Sequence, residues 1–248
     1  MRVPRVYYAV DIEPQQIFKV DGSLHHYLSR VLRLKAGNEL RVFNGKGAEF
    51  LCTIIENKRH TSTLLCCSEV ETLAEPSMAI KLYLAVCKNE AMDFSLQKAT
   101  ELGIQELQPL ITEYSLTANI ATRRRLHWQG VATSACEQCG RTIIPIIKEP
   151  IAWTEIAKIN KDDKAIICTV DAEVPIHVYI DEFLAQPLSQ RLNQRAVFHL
   201  MIGPEGGFSN ADIAQATALG FKPAHLGNYV LRTETAVAAA LGAARFSR

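Results

Sequence analysis

Residues 197–212 read VFHLMIGPEGGFSNAD, an apolar run followed by a turn with three glycines and by the polar start of a helix. Glycine has no Cβ, so Gly203, Gly206 and Gly207 allow positive φ angles and a close approach of backbone groups to a ligand. Ser209, followed three residues later by an aspartate, matches a capping box and predicts that a helix begins directly after the turn. This order predicts a small-molecule site, with a tight structural turn as the alternative interpretation.

A second turn of similar character lies further along the chain. Residues 226–235 read LGNYVLRTET and lead into a helix of unusually small residues. Alanine favours helix formation, and small side chains let another backbone come close. This helix is either an ordinary terminal core helix or one packed against a ligand-binding loop and a partner subunit. We expect the two turns to form one site together.

The glycine turn matches neither of two common phosphate-binding motifs. A Walker A loop requires Gly-Lys-Ser/Thr, which does not follow Gly207. A GxGxxG dinucleotide motif normally opens the first βαβ unit of a domain, whereas this turn comes late in its domain. These motifs therefore do not identify the ligand.

The first part of the chain, residues 1–72, predicts a small β-barrel with one helix. NGKG at residues 44–47 is a hairpin signal between two runs rich in β-branched and aromatic residues. Apolar side chains on one face predict the helix over residues 23–34. LAEPS at residues 73–77 breaks the pattern and predicts a linker. The predicted strands cover residues 5–10, 17–20, 39–43, 48–56 and 63–70.

Residues 73–248 predict a different architecture. Strand-like and helical runs alternate from Ile80 onward, which is typical of an α/β domain with a parallel sheet covered by helices. The predicted strands lie at residues 81–87, 107–111, 164–170, 197–202 and 224–226, and the predicted helices at 93–102, 123–139, 209–219 and 234–246.

The composition is that of a soluble globular protein, with 48% hydrophobic and 21% charged residues among 248 and a net charge of +1. No apolar stretch approaches the roughly 20 residues needed to cross a bilayer. Because residues 1–8 also lack a secretory signal, we expect a cytoplasmic protein with no membrane partner.

Seven cysteines, an odd number with Cys66 and Cys67 adjacent, argue against a disulfide framework. Cys136 and Cys139 have the spacing of half a metal site but lack a second pair, so no metal is expected.

Ordered matches over essentially the whole chain resemble one family. Residues 202–209 and 226–235 resemble the turns of the 16S ribosomal RNA uridine-N3 methyltransferase family of the SPOUT superfamily. Such an ordered set is far more specific than any single motif. The further matches are residues 2–5, His26, residues 30–33, Gly37, Gly45, Lys88, Asp93, residues 98–103, Pro109, residues 136–141 and Pro145.

The resemblance implies a PUA-like β-barrel for residues 1–72 and a SPOUT α/β domain with a C-terminal trefoil knot for residues 73–248. It also implies S-adenosylmethionine as methyl donor, 16S rRNA in the small ribosomal subunit as substrate, and a homodimer. The turn after Thr169 and Val170 is a candidate third wall of the donor site. Carried over residue by residue, that site comprises Met201, Ile202, Gly203, Pro204, Glu205, Gly206, Leu226, Gly227, Val230, Leu231 and Arg232.

The expected chemistry makes demands on nearby side chains. Uracil N3 carries a proton and becomes nucleophilic only after losing it, so some group must take the proton or stabilise the anion. Arg232 is the candidate for stabilising the anion, since a guanidinium stays charged and offers fixed donors to a uracil oxygen. Glu205 and Glu234 are the candidate bases. The structural alternatives are that Glu234 caps its helix and that Arg232 pairs with Glu234.

Clustered basic residues predict RNA contacts. Arg2 with Arg5, and Arg30 with Arg33 one helical turn apart, have the grouping expected of phosphate contacts. The resemblance adds Gln138 and Arg141, facing the target uridine or the RNA backbone. Two alternative functions stay open at this point: a SPOUT methyltransferase of another RNA such as tRNA, and a non-catalytic RNA-binding or ribosome assembly factor.

Overall fold

The computed structural model describes residues 3–115, 118–189, 191 and 196–247, leaving aside the side chains of residues 118–122. Two compact units make up the fold: unit 1 comprises Met1–Glu75 and Cys136–Ile144, and unit 2 comprises Pro76–Ala135 and Pro145–Arg248. Arg2 lies outside the described residues, so its phosphate contact stays a prediction. No helix within the described ranges is long and apolar enough to span a membrane.

Unit 1 is built on a five-stranded sheet. Its strands are β1 (Arg5–Tyr7), β2 (Ile17–Val20), β3 (Glu39–Phe43), β4 (Glu49–Asn57) and β5 (Ser62–Glu69). They lie in the order β1-β3-β4-β5-β2, with β1 parallel to β3 and the other neighbours antiparallel. Apolar side chains such as Leu40 and Ile54 form one buried cluster on this sheet. The hairpin predicted around residues 44–47 is confirmed by the pairing of β3 with β4.

The helix predicted over residues 23–34 is present but shorter. α1 (Gly22–His26) continues as a π-helical turn over Tyr27–Val31. It ends there because Arg33 adopts a φ of 54°, in the left-handed region that commonly terminates helices.

Arg5 ties the second segment of unit 1 to the sheet. Its Nε donates to the Glu49 carboxylate at 2.6 Å, and its Nη1 donates to the carbonyl oxygens of Cys136 at 2.6 Å and Glu137 at 3.2 Å. Nη2 donates to the Arg141 carbonyl oxygen at 3.2 Å. The Arg5 and Glu49 side chains are only 6% and 5% exposed. The phosphate contact predicted for Arg5 therefore does not fit the structure, because its donors are already engaged inside unit 1.

Unit 2 is built on a seven-stranded sheet in which all described pairings are parallel, as predicted. The strands are β6 (Ala79–Ala85), β7 (Glu106–Ile111), β8 (Ile146–Ile147), β9 (Ile151–Ala152), β10 (Lys164–Cys168), β11 (Val197–Ile202) and β12 (Lys222–Ala224). Their order is β12-β10-β11-β6-β7-β8, and β9 also pairs with β7. The central strands β6 and β11 are buried along most of their length, which is typical of parallel strands covered on both faces.

Helices alternate with these strands. They include α2 (Asn89–Glu101), α3 (Ala118–Cys139), α4 (Ile176–Leu184), α5 (Asn210–Leu219) and α6 (Thr233–Phe246). α2 packs against α6, and α4 contacts both β10 and α6. The strand predicted over residues 224–226 lies two residues earlier as β12. The reason is that His225 exchanges backbone hydrogen bonds with Val174 and Ile176 instead of extending the strand.

Replacing Arg5 by alanine should lower the free energy of unfolding by about 3–5 kcal/mol, because the change leaves the buried Glu49 carboxylate without its partner. Urea unfolding followed by circular dichroism measures this loss. Lys46→Ala is the matched control, since its ion pair with Asp11 is exposed and should contribute less than about 1 kcal/mol. Equal effects of the two substitutions would contradict the structural role of Arg5.

Candidate active site

A cavity of about 330 Å³ lies where three neighbouring strands of unit 2 end. Residues 168–171 begin at the last residue of β10, residues 202–208 begin at the last residue of β11, and residues 226–231 follow β12; each segment contributes lining residues. The carboxyl ends of parallel strands meet at one edge of a sheet, so these loops converge although they are far apart in sequence. This first cavity brings together the two predicted turns and the candidate third wall after Thr169.

The glycine turn owes part of its composition to packing. A Cβ on Gly203 would lie 3.1 Å from the Phe208 ring and 3.3 Å from the Gly207 carbonyl carbon. A Cβ on Gly206 would lie 3.1 Å from the Tyr114 Cβ. Packing therefore accounts for two of the glycines, as a tight structural turn requires. The evidence for a ligand site is the cavity that the turn borders.

Two further contacts hold the turns in place. Ser209 Oγ accepts from the Asp212 N–H at 3.1 Å, while the Ser209 N–H donates to the Asp212 carboxylate at 3.0 Å, which confirms the predicted capping box. At the start of α6, Thr233 Oγ1 donates to the Gly203 carbonyl oxygen at 3.2 Å. This bond connects the second turn directly to the first.

A second cavity, of about 970 Å³, adjoins the first. Its walls come from the start of α2, from Glu205, and from residues 230–235. Glu205, Val230 and Leu231 line both cavities, so they form a shared wall. The full lining is Lys88, Glu90, Ala91, Phe94, Glu205, Val230, Leu231, Arg232, Glu234 and Thr235.

Ten of the eleven predicted donor-site residues line one or both of these cavities. Nine of the eleven line the first cavity: Ile202, Gly203, Pro204, Glu205, Gly206, Leu226, Gly227, Val230 and Leu231. Met201 belongs instead to a buried core cluster, and Arg232 lines the second cavity. The alternation of side chains along β11 explains Met201, whose neighbour Ile202 reaches the cavity at the strand end. No sequence pattern points to Phe94, which lines the second cavity but lies far from both turns along the chain.

The three predicted catalytic residues are gathered around the second cavity. Glu205 Oε1 accepts from the Lys88 N–H at 3.1 Å, directly before α2. Arg232 is exposed and Glu234 is half-buried at the first turn of α6. Across the described part of the chain, the structure contains no ion pair between Arg232 and Glu234 and no side-chain cap on α6. Both groups are thus available to a molecule in the cavity.

Cys87 lies close to the same carboxylates. Burial, helped by Glu205 and Glu234, raises the pKa of the Cys87 thiol to about 12. The thiol therefore stays protonated near neutral pH and offers no thiolate nucleophile. Among the described residues there is also no group of three His, Cys, Asp or Glu side chains that could hold a metal ion.

The predicted RNA contacts of unit 1 differ in their surroundings. Arg141 makes two hydrogen bonds to the Glu75 carboxylate, at 2.6 and 3.2 Å, and its side chain is 10% exposed. Like Arg5, it therefore has a structural role that does not fit direct phosphate contact. Arg30, Arg33 and Gln138 are exposed. Arg30 also borders a surface cavity of about 550 Å³, which is lined by Asp21, Gly22, His25, His26, Ser29, Arg30, Arg59 and His60.

Comparison with known proteins gives this arrangement a family. An RNA methyltransferase domain family matches residues 74–245, and an RNA methyltransferase PUA domain family matches residues 20–64. Ribosomal RNA small subunit methyltransferase E of Buchnera aphidicola is 33% identical over 98% of this chain and 95% of the relative. The same-named protein of Synechocystis is 30% identical over 94% of this chain and 76% of the relative.

A solved structure has the same fold. Ribosomal RNA small subunit methyltransferase E from Neisseria gonorrhoeae, bound to S-adenosyl methionine, superposes with a TM-score of 0.85 at 28% identity. The match covers 98% of this chain and 96% of that one. With its PUA and RNA methyltransferase domains, the chain belongs to the ribosomal RNA small subunit methyltransferase E family.

Proposed function

We propose that the protein uses S-adenosylmethionine to methylate N3 of a uridine in 16S rRNA, within the assembled small ribosomal subunit. One observation carries this proposal. A cavity with glycine-rich walls shares Glu205, Val230 and Leu231 with a second cavity that holds Arg232 and Glu234. A donor and an acceptor bound on the two sides of this wall would be adjacent, as methyl transfer requires.

The first cavity suits the donor. Its volume of about 330 Å³ lies in the range of small-molecule sites, roughly 300–1,000 Å³. Apolar side chains such as Ile202 and Leu226 can cover the adenosine, while backbone groups of the turns can address its polar edge. Gly207 and Gly227 line the cavity with φ angles of 72° and 113°, and a Cβ on either would meet no protein atom within 4 Å. The space beside their backbone is therefore open to a ligand.

The second cavity suits the acceptor base. When bound, S-adenosylmethionine supplies a methyl group carried by a positively charged sulfur. The neutral thioether that remains after transfer is a good leaving group. The chain must provide a proton acceptor and support for the uracil anion. Arg232 offers guanidinium donors to a uracil oxygen. Glu234 is the better placed proton acceptor, because Glu205 Oε1 already accepts from the Lys88 backbone.

The proposal also includes an RNA-binding barrel, a trefoil knot, a homodimer and a cytoplasmic place of action. Residues 1–72 would act as a PUA-like RNA-binding barrel, with exposed Arg30 and Arg33 contacting phosphates. Residues 73–248 would form a SPOUT domain whose segments 202–206 and 226–232 make a trefoil knot. Thr233, the residue directly after the second segment, donates a hydrogen bond to Gly203 in the first segment, so the two segments lie side by side. The small side chains of α6 support a homodimer, since they allow a second helix to approach closely, and the place of action would be the cytoplasm.

The function is tested by incubating the protein and labelled donor with small ribosomal subunits, free 16S rRNA and tRNA, and then mapping the modified base. We expect label at N3 of one uridine of 16S rRNA, with subunits preferred over free rRNA. Label only in tRNA would favour the alternative substrate. Donor binding without any transfer would favour a non-catalytic assembly factor.

Arg232→Ala should retain donor binding and fold but lose about 10²–10³-fold in kcat, because one charged donor to the developing anion is removed. Single-turnover methylation measures the rate, and calorimetry measures donor binding. Lys158→Ala, an exposed lysine outside both cavities, is the control and should be unchanged. Near-normal turnover of Arg232→Ala would remove Arg232 from the mechanism.

Glu234→Gln should slow methylation at neutral pH and recover part of its rate as the pH rises. The recovery follows because uridine that has already lost its N3 proton no longer needs the carboxylate. A pH–rate profile measures this effect, with Glu205→Gln as the matched variant. If only Glu205→Gln shows recovery at high pH, Glu205 is the proton acceptor instead.

A further inference from the structure

Phe94 is an exposed aromatic residue that the core of unit 2 does not use. On α2 the buried positions include Met92, Leu96 and Ala99, which face the interior. Phe94 projects from a different side of the helix and is 47% exposed. It lines the second cavity together with Lys88 and Ala91. Exposure of a large apolar ring to water is unfavourable, and a molecule bound in the cavity would cover the Phe94 ring.

The surroundings of Phe94 orient its ring. Lys98 Nζ lies over the ring, 5.4 Å from its centroid. The same ammonium pairs with Glu101 at 2.8 and 3.0 Å, which holds it in place. Lys98 is absent from the described lining of the second cavity, whereas Phe94 is part of it. One face of the ring is therefore covered by the ammonium group, and the ring presents another surface to the cavity.

The chemistry of the proposed substrate matches such a surface. N3 lies on the pairing edge of uracil, so the base must be unpaired and unstacked before it can be methylated. Enzymes that extract a base hold it by stacking on aromatic side chains. A cation behind the ring also favours an electron-rich partner in front, and uracil becomes an anion when N3 loses its proton. Lys88 and Arg232 offer cationic donors to the attached phosphates, beside the carboxylates of the same lining.

We propose that Phe94 is the stacking platform for the target uracil in the second cavity. The inference rests on the proposed function, because it takes an RNA uridine as the acceptor, and it adds a residue that positions this base. Stacking on Phe94 directs the pairing edge of the base toward the shared wall formed by Glu205, Val230 and Leu231. Lys98 and Glu101 act behind it by fixing the ring.

Methylation kinetics test the platform. Phe94→Ala should lower kcat/KM for small subunits about 5- to 150-fold, the range expected for one lost base–aromatic stack. Phe94→Trp should keep most of the activity, since an indole also stacks. Leu126→Ala is the control, because Leu126 is 77% exposed on α3 and lies outside the described lining of both cavities. Donor binding by calorimetry should be the same for all these variants.

Fluorescence provides a test that does not depend on methyl transfer. A single-stranded oligoribonucleotide with one uridine should quench the indole introduced by Phe94→Trp, relative to the wild-type protein. The same oligonucleotide with an abasic site at that position should quench it less. If the wild-type protein methylates no uridine, the proposed function fails, while quenching still decides whether a base stacks at Phe94.

Three results would overturn the proposal: equal quenching by the two oligonucleotides, unchanged kcat/KM for Phe94→Ala, or weakened donor binding by that variant. Phe94 could instead contact a second copy of the chain. Sedimentation of Phe94→Ala tests this alternative. A shift toward monomer with unchanged RNA affinity would assign Phe94 to a protein interface and would also overturn the platform.

Discussion

The parallel pairing of β10 with both β11 and β12 is the constraint on which the site depends. It places the ends of three strands side by side although helices and loops separate them along the chain. Each strand end delivers one loop to the same edge of the sheet, and the Thr233–Gly203 hydrogen bond joins two of these loops. Any change in strand order would scatter the glycine turns, whatever their own geometry.

The two cavities differ in what they can recognise because residues 230–232 present different side chains to each of them. Val230 and Leu231 present apolar surface to both sides, whereas the next residue, Arg232, turns its charge to the second cavity alone. Lysine and arginine side chains thus line the second cavity, where the proposed RNA base and its phosphates would lie. The charged side chains in the described lining of the first cavity are the carboxylates of Asp171 and Glu205. The neutral thiol of Cys87 leaves this charge balance undisturbed.

Local patterns in the sequence predicted the parallel sheet, the two turns and the capping box after the glycine turn. These patterns succeeded because strand ends, turns and helix starts are set by neighbouring residues. The individual donor-site residues came from the family resemblance. Phe94 and the third wall at residues 168–171 depend on which strands pair, and periodicity carries no information about that order. The RNA contact of Arg5 is predicted from clustered charge and that of Arg141 from the family resemblance, but their partners, Glu49 and Glu75, lie 44 and 66 positions away. Charge alone cannot distinguish an exposed phosphate contact from an internal ion pair.

The hydrogen bonds of Arg5 also bear on how the chain acquires its structure during synthesis. Three of its four acceptors are carbonyl oxygens of residues 136–141, which are synthesised after the first segment of unit 2, Pro76–Ala135. Domains usually fold in order as they emerge. Here the hydrogen bonds of Arg5 can be completed only after the first segment of unit 2 has been synthesised. A fragment ending at Glu75 would lack the three carbonyl acceptors that bind the Arg5 guanidinium.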